Sequence, residues 1–472
     1  MMFPLERPEY PEGKPSDDRC ESSVSEGSVY ISSSCRLVIN GERFCAQARV
    51  RRSRLNGKLE RDRQLQKIIK LSFYRAALKS GCKKPVWGAL TGIRPGKLLS
   101  NRLEAGMTPS AAAAEFCREY DVSPERAKLC LKTAGAELHQ KSLLLPQDIC
   151  LYIGIPFCPT RCAYCSFVSQ SVEKSIKLIP PFMDALFQEL DESARIVRSL
   201  GLRPVSIYFG GGTPTTLSAL QLDLLFRRLE DRFDLSAVRE FTVEAGRPDT
   251  ITAEKLEVLR SHGVSRVSVN PQSMEDSVLE AIGRKHTARD IFDALDLVRK
   301  AGGMSVNMDL IAGLPADSPA GFSRTLSSVL ALKPENITVH TLALKKGTRI
   351  TLGENDALMP SADDVGAMLD EAASRLPASG YSPYYLYRQK FMSGGFENVG
   401  WCMEGFENEY NICIMAELCS IISMGGGAST KLVSPAGRIE RIFDPKFPKE
   451  YIENIEKTVN SKSKIEVFYH GI

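Results

Sequence analysis

Residues 150–165 read CLYIGIPFCPTRCAYC. An apolar run from Cys150 to Phe157 ends in a loop that spaces Cys158, Cys162 and Cys165 as C-x3-C-x2-C. Three thiolates in one short loop can bind three irons of a cubane and leave the fourth iron without a protein ligand. Structural zinc prefers four ligands, usually as two separated pairs, and no fourth Cys or His lies nearby in the sequence. Disulfides would strand one thiol of the three. The loop therefore points to a [4Fe–4S] cluster with one open iron. Such an iron can chelate the amino and carboxylate groups of S-adenosylmethionine (SAM) and pass an electron into its sulfonium. Methionine and a hydrogen-abstracting 5′-deoxyadenosyl radical would result.

Downstream of the loop, short β-branched runs alternate with amphipathic stretches. The strand-like runs are Cys150–Phe157, Val205–Gly210, Glu240–Ala245, Arg266–Asn270, Ser305–Ile311 and Ile337–Leu344. Helical periodicity marks Pro181–Leu200, Leu217–Arg232, Thr252–His262, Ala288–Lys300 and Ala320–Leu332. Parallel neighbours need a crossover, so this alternation predicts an α/β fold with a parallel sheet. Six units suggest a partial (β/α)6 TIM-like barrel rather than a closed eight, with its chemistry at the carboxyl ends of the strands.

Working outward, residues 146–345 are the expected barrel and residues 346–472 a C-terminal mixed α/β segment capping its open side. Before the barrel, residues 29–145 read as a small α+β domain. Two strand-like runs flank Asn40-Gly41, a hairpin signal, and helices are expected over Arg63–Lys79, Pro109–Tyr120 and Pro124–Gln140. Residues 1–28, rich in Pro, Glu, Ser and Asp, predict a disordered lead.

Composition narrows the partners. A net charge of +4 implies no nucleic acid, and the basic stretch Arg49–Arg54 reads equally well as a solvated strand end. No run reaches the ~20 apolar residues a membrane span needs, and the N-terminus does not resemble a signal peptide. A cytoplasmic protein is expected. Thirteen scattered cysteines fit a reducing compartment better than a disulfide framework.

Polar and glycine-rich stretches cluster at the expected strand ends. Phe209-Gly-Gly-Gly-Thr-Pro-Thr215 follows the second strand, where glycines let backbone approach a ligand closely; its expected job is to hold the methionyl amino end of SAM. Glu244, Gln272 and Asp309 would surround the same mouth. Arg284, in Gly283-Arg284-Lys285-His286, could cap a helix or meet a carboxylate in bidentate fashion.

Taken as a set, YIGIPFCPTRCAYC, GGGTPT, EAGRPD, NPQS, GRKH and NMDLIAGLP resemble the radical SAM coproporphyrinogen III dehydrogenase group over roughly residues 150–345. Two further stretches resemble its HemZ-type branch, WGALTGIRPGKL (87–98) and the region 384–430 with NEYNICIMAELCSIISMGGGAST. The resemblance implies cluster ligation by Cys158, Cys162 and Cys165, with Tyr152 and Tyr164 near cluster and SAM. Gly211, Gly212 and Thr213 would contact the methionyl group, and Glu244, Gln272, Arg284, Asp309 and Ala343 would complete the SAM pocket. The implied reaction is oxygen-independent oxidative decarboxylation of two propionates of coproporphyrinogen III to vinyls, giving protoporphyrinogen IX. A low-potential electron donor such as flavodoxin or ferredoxin would serve it. Relatives with the same cluster act as haem chaperones or haem-modifying enzymes. This chain has Gly154 where the family pattern has His, and Arg247 where Asn or Asp precedes the Pro.

A substrate with four propionates calls for cations, and Arg94, Lys97, Arg388 and Lys390 are candidates, with surface ion pairs the alternative. Cys402, Cys413 and Cys419 are too widely spaced for a second cluster and read as buried free thiols, as do Cys20, Cys35, Cys45, Cys82, Cys117, Cys130 and Cys150. Gly425-Gly426-Gly427 reads as a tight turn, with a phosphate-binding loop the alternative. His340, on the sixth strand, could face the mouth.

Overall fold

The computed structural model describes residues 18–55, 57–165, 170–344, 348, 350, 358–389, 393–435 and 437–471. Two compact units divide the chain, one of residues 1–131 with 394–396 and one of residues 132–393 with 397–472. In the first unit β1 (Arg19–Glu26), β2 (Tyr30–Ile39) and β3 (Glu42–Arg51) form an antiparallel sheet in that order. Asn40 and Gly41 both take positive φ, 51° and 82°, which the two-residue turn between β2 and β3 requires. One face is covered by the helix Gly57–Lys79, which seats Ile68 on Ile31, Ala48 and Val50, and Ala76 and Ala77 on Cys35 and Leu37.

Residues 19–26 correct the expected disordered lead: they are paired along their whole length with β2. Every β1 residue is exposed, so its order comes from backbone hydrogen bonds and leaves no apolar alternation to read. Cys20 and Cys45 are likewise exposed, not buried: Cys45 shares the uncovered face with its partner Arg36, whereas Cys20 sits on the edge strand beside the buried Cys35, 3.8 Å between sulfurs. A further helix, Pro95–Glu104, begins inside the stretch 87–98, on a proline whose missing N–H would be unpaired there anyway. The unit boundary falls at Leu131/Lys132, within the helix Pro124–Leu143, rather than near 145.

The second unit is built on β4 (Asp148–Ile155), which leads through β5 (Phe157–Cys158) and its two-residue partner β6 (Gln170–Ser171) into the crossovers. Strands β7 (Arg203–Gly211), β8 (Glu240–Glu244), β9 (Arg266–Ser268), β10 (Ser305–Ala312) and β11 (Asn336–Thr341) follow. With β4 they pair parallel in sequence order. The crossovers contain the helices Ile179–Ser199, Ala219–Arg232, Ala253–Ser261, Ala288–Ala301 and Pro319–Leu332. Ser218 and Thr287 each start a helix with a reciprocal capping box.

The expected capping segment instead continues the sheet at both ends. β12 (Ser382–Tyr387) and β13 (Asn398–Cys402) extend it antiparallel from β11. β14 (Ser420–Gly425) runs parallel beside β4, followed by β15 (Ser429–Val433) and β16 (Ile439–Phe443), giving eleven strands in an open order. An open parallel sheet leaves unpaired edge groups, and these strands satisfy them. The join is close: a Cβ on Gly425 would lie 2.3 Å from the Gly154 carbonyl oxygen. Behind it the fully buried Lys462 ammonium meets Glu189 at 2.5 Å and Asp444 at 3.1 Å.

Candidate functional site

The cysteine loop leaves the carboxyl end of β4 and is held by backbone on two sides. Gly212 and Thr213 donate N–H groups to the carbonyls of Ile155 and Phe157 at 2.8 and 2.7 Å, and Ala163 donates to Ile282 at 2.9 Å. A Cβ on Gly212 would fall 2.4 Å from the Phe157 oxygen, so this approach requires glycine. The N–H groups of Gly212 and Thr213 are thus used internally, and what the run can offer an ammonium is carbonyl oxygen. Cys162 is buried, while Cys158 and Cys165 are half-buried. Thr213 Oγ1 lies 3.5 Å from Cys158 Sγ, and the Cys165 N–H donates to the Cys162 carbonyl at 3.1 Å.

Two buried arginines converge on the loop. Arg247, 3% exposed, donates from Nη1 to Thr160 Oγ1 at 3.1 Å and lies 3.9 Å from Cys162 Sγ. Its Nη2 is buried with no partner. Arg284 donates to the Asn270 carbonyl at 2.7 Å and reaches the Tyr164 hydroxyl at 3.3 Å. His286 is buried beside them; burial first, then the charges of Arg284 and Arg247, push its pKa down to about 3 and keep it neutral. Neither of its ring nitrogens has a partner within ordinary hydrogen-bond geometry. Unpaired buried donors beside three thiols suit an anionic guest, such as a cluster with thiolate ligands and a carboxylate.

Below the loop, side chains from successive strands line the sheet interior. Tyr208 on β7 donates to Glu244 at the end of β8 at 2.6 Å, and Tyr152, Tyr208 and Tyr410 stack with centroids 4.4 to 6.2 Å apart. Burial raises the Glu244 pKa to about 7, against the Tyr208 hydrogen bond. Asp309 on β10 accepts from Asn270 at 2.7 Å and Asn307 at 2.8 Å, with His340 Nε2 at 3.9 Å. Burial opposes its ionisation, yet His340, Asn307 and Thr338 together hold its carboxyl below the ordinary value. Gln272 sits at φ 67°, and its N–H and carbonyl bridge to the backbone of Asp309 and Ile311. Ala343 is half-buried just past β11.

Most of the expected site residues thus lie at the carboxyl ends of the parallel strands, in one unit. Arg247, Asn270 and His286 are additional. Arg247 was visible as a departure from the family pattern, and Asn270 and His286 lie in the NPQS and GRKH stretches that carry the resemblance, with no role of their own assigned there. Among the cationic candidates, Arg94 is half-buried at the start of the helix Pro95–Glu104 and Lys97 is exposed in it. Arg388 is half-buried after β12, and burial lowers its pKa to about 10. Lys390 lies outside the described residues. The Gly425–Gly427 run is a turn between β14 and β15, with the Gly425 N–H bound by Glu189 at 2.8 Å.

Sulfur spacing separates the loop from another group. Among the described residues, the three thiols whose sulfurs all lie within 4.8 Å of one another are Cys150, Cys413 and Cys419, not the loop cysteines. A single ion needs such close sulfurs. A cubane takes each thiolate on a different iron, and the wider loop suits it.

An incomplete parallel barrel with a three-cysteine loop beyond its first strand is the fold of the radical SAM class. The Radical SAM superfamily pattern matches residues 152–329. The oxygen-independent coproporphyrinogen-III oxidase-like protein HemZ of Bacillus subtilis is 40% identical over 382 residues, covering 80% of this chain and 76% of that protein. The heme chaperone HemW of the same organism is 31% identical over 67% of this chain and 81% of its own length. The solved structure of Escherichia coli HemN, described as a radical SAM coproporphyrinogen III oxidase, shares the fold with a TM-score of 0.55. That match has 23% identity and covers 69% of this chain and 73% of the other. This chain belongs to the HemZ-type branch of the radical SAM coproporphyrinogen III dehydrogenase-like family. Among its described residues no helix is long and apolar enough to cross a membrane.

Proposed function

We propose that the chain catalyses SAM-dependent, oxygen-independent oxidative decarboxylation of coproporphyrinogen III to protoporphyrinogen IX in the cytoplasm. The observation that carries this reading is the 40% identity to HemZ, which extends over 382 residues and so well beyond the 178 residues, 152 through 329, of the superfamily pattern. When bound, a [4Fe–4S] cluster on Cys158, Cys162 and Cys165 supplies the electron that cleaves SAM to the 5′-deoxyadenosyl radical.

The chain's own residues orient and enclose. Arg247 and Arg284 hold positive charge against the Cys162 side of the loop. The Gly211–Thr213 run meets the methionyl ammonium, and Arg284 the methionyl carboxylate. Glu244, Gln272 and Asp309 offer hydrogen-bonding groups to the remaining polar parts of SAM, with Tyr152, Tyr164 and Ala343 completing the walls. Arg388 is the candidate partner for a substrate propionate, and a flavodoxin or ferredoxin the candidate donor.

The test is anaerobic incubation of reconstituted, reduced protein with SAM and coproporphyrinogen III. The reading expects 5′-deoxyadenosine together with a product that has lost two carboxyl groups as CO₂. SAM cleavage with all propionates intact would overturn the substrate assignment. Stoichiometric haem binding with no product would instead favour a carrier role, the reading that the HemW relatives support.

A further inference from the structure

Away from the cluster loop, three cysteines remote in sequence meet inside the second unit. Cys150 is on β4, Cys413 on the helix Glu409–Ala416, and Cys419 immediately precedes β14. Parallel pairing sets Ile421 beside Cys150 and so brings Cys419 alongside, although 269 residues separate them. The sulfurs of Cys150 and Cys419 are 3.7 Å apart, and all three lie within 4.8 Å. Cys150 and Cys413 are fully buried and Cys419 is 7% exposed.

We infer that Cys150, Cys413 and Cys419 form a three-thiolate site for a soft monovalent cation of the copper(I) class. Metal–sulfur bonds of about 2.3 Å place two sulfurs on one ion about 3.8–4.0 Å apart, close to the 3.7 Å between Cys150 and Cys419, with the Cys413 sulfur within 4.8 Å of both. The surroundings decide the metal. Tyr410, Ile421, Tyr152, Tyr208, Leu144, Ile414 and Leu418 pack around the sulfurs, and among the described residues no His, Asp or Glu joins the group. Structural zinc wants a fourth ligand, whereas copper(I) is selected by soft thiolates. An iron–sulfur cubane would need its thiolates farther apart. Arg239 pairs with Glu409 on the helix that carries Cys413, so that ion pair brings no net negative charge to the flank.

The site is distinct from the cluster loop. Cys150 lies five residues before the end of β4 at Ile155, about 16 Å at the rise of a strand, and Cys158 lies beyond that end. A bound ion would clip the helix Glu409–Ala416 to β4 and β14. It would thereby fix Tyr410, whose ring stacks on Tyr208 at 4.4 Å, beneath Glu244. Binding exchanges three thiol protons for one cation, with no change in oxidation state.

The test uses the full-length chain carrying Cys158→Ala, Cys162→Ala and Cys165→Ala, so that no cluster competes. Copper(I) is titrated anaerobically against bicinchoninate, and X-ray absorption counts the sulfurs around the bound metal. One copper per chain with three sulfurs is expected. Cys413→Ser and Cys419→Ser should each weaken retention about 100-fold or more, and Cys402→Ser should not. Copper that stays with the chelator, has two sulfurs, or is retained equally by the Cys413 and Cys419 variants overturns the site. The absorption measurement needs no change in the trio, so it decides even if a trio variant fails to fold. Tighter binding of zinc(II) in a four-coordinate site overturns the copper(I) assignment. None of these outcomes depends on the porphyrinogen reaction.

Discussion

The guanidinium of Arg247 lies 3.9 Å from the sulfur of Cys162, where it is almost fully buried. A cation next to a cluster thiolate stabilises the more negative, reduced state. Arg247→Ala should therefore retain iron but shift the cluster midpoint to more negative potential, with Arg247→Lys partly restoring it. Loss of such outer groups typically costs about 10–100-fold in affinity or activity. Potentiometry followed by EPR measures the shift; an unchanged midpoint removes Arg247 from the account.

Gly212 faces the Phe157 carbonyl with no space for a methyl group. Gly212→Ala should push the Gly-Gly-Gly run away from the cysteine loop and cost about 1–3 kcal/mol, the usual penalty for overpacking. Denaturant midpoints of the metal-free chain report the stability loss. SAM affinity should fall with it, measurable by equilibrium dialysis.

Glu244 sets a pH dependence. Its native pKa is raised to about 7 from a reference of 4.5, mainly by burial. Between these values the native state holds a proton that the unfolded state has released. Its contribution to stability is thus present below about pH 4.5 and is lost as pH rises through 7. Glu244→Gln should flatten the melting temperature between pH 5 and 8, and thermal scans of both proteins test this.

Lys462 is buried between Glu189 and Asp444. Lys462→Ala leaves carboxylates without their cation and should cost about 3–5 kcal/mol, read as a lower denaturant midpoint. SAM cleavage by the surviving folded fraction should persist, because the residue is remote from the loop in sequence and belongs to the join behind β14.

Apolar periodicity made the parallel strands and their crossovers legible, since each strand must bury a contiguous face. The C-terminal strands were harder. Ser420–Gly425 has the composition of any buried strand, and nothing local says that it pairs with β4. β1 lacks an apolar face entirely. The same contrast holds in the site. Cys158, Cys162 and Cys165 share one loop and announced themselves, as did the glycines after β7. Cys150, Cys413 and Cys419 meet only through tertiary pairing, and His286 gains its meaning from burial beside two arginines. Spacing along the chain reports local chemistry; convergence across the sheet does not.

The central claim is a cluster with one iron open to SAM. Its most direct test is the EPR spectrum of the anaerobically reconstituted, reduced chain with and without SAM. The account predicts a [4Fe–4S] signal whose g-values change when SAM is added, and its disappearance in Cys162→Ala. A signal indifferent to SAM, or a chain that takes up zinc in place of iron at this loop, would contradict it.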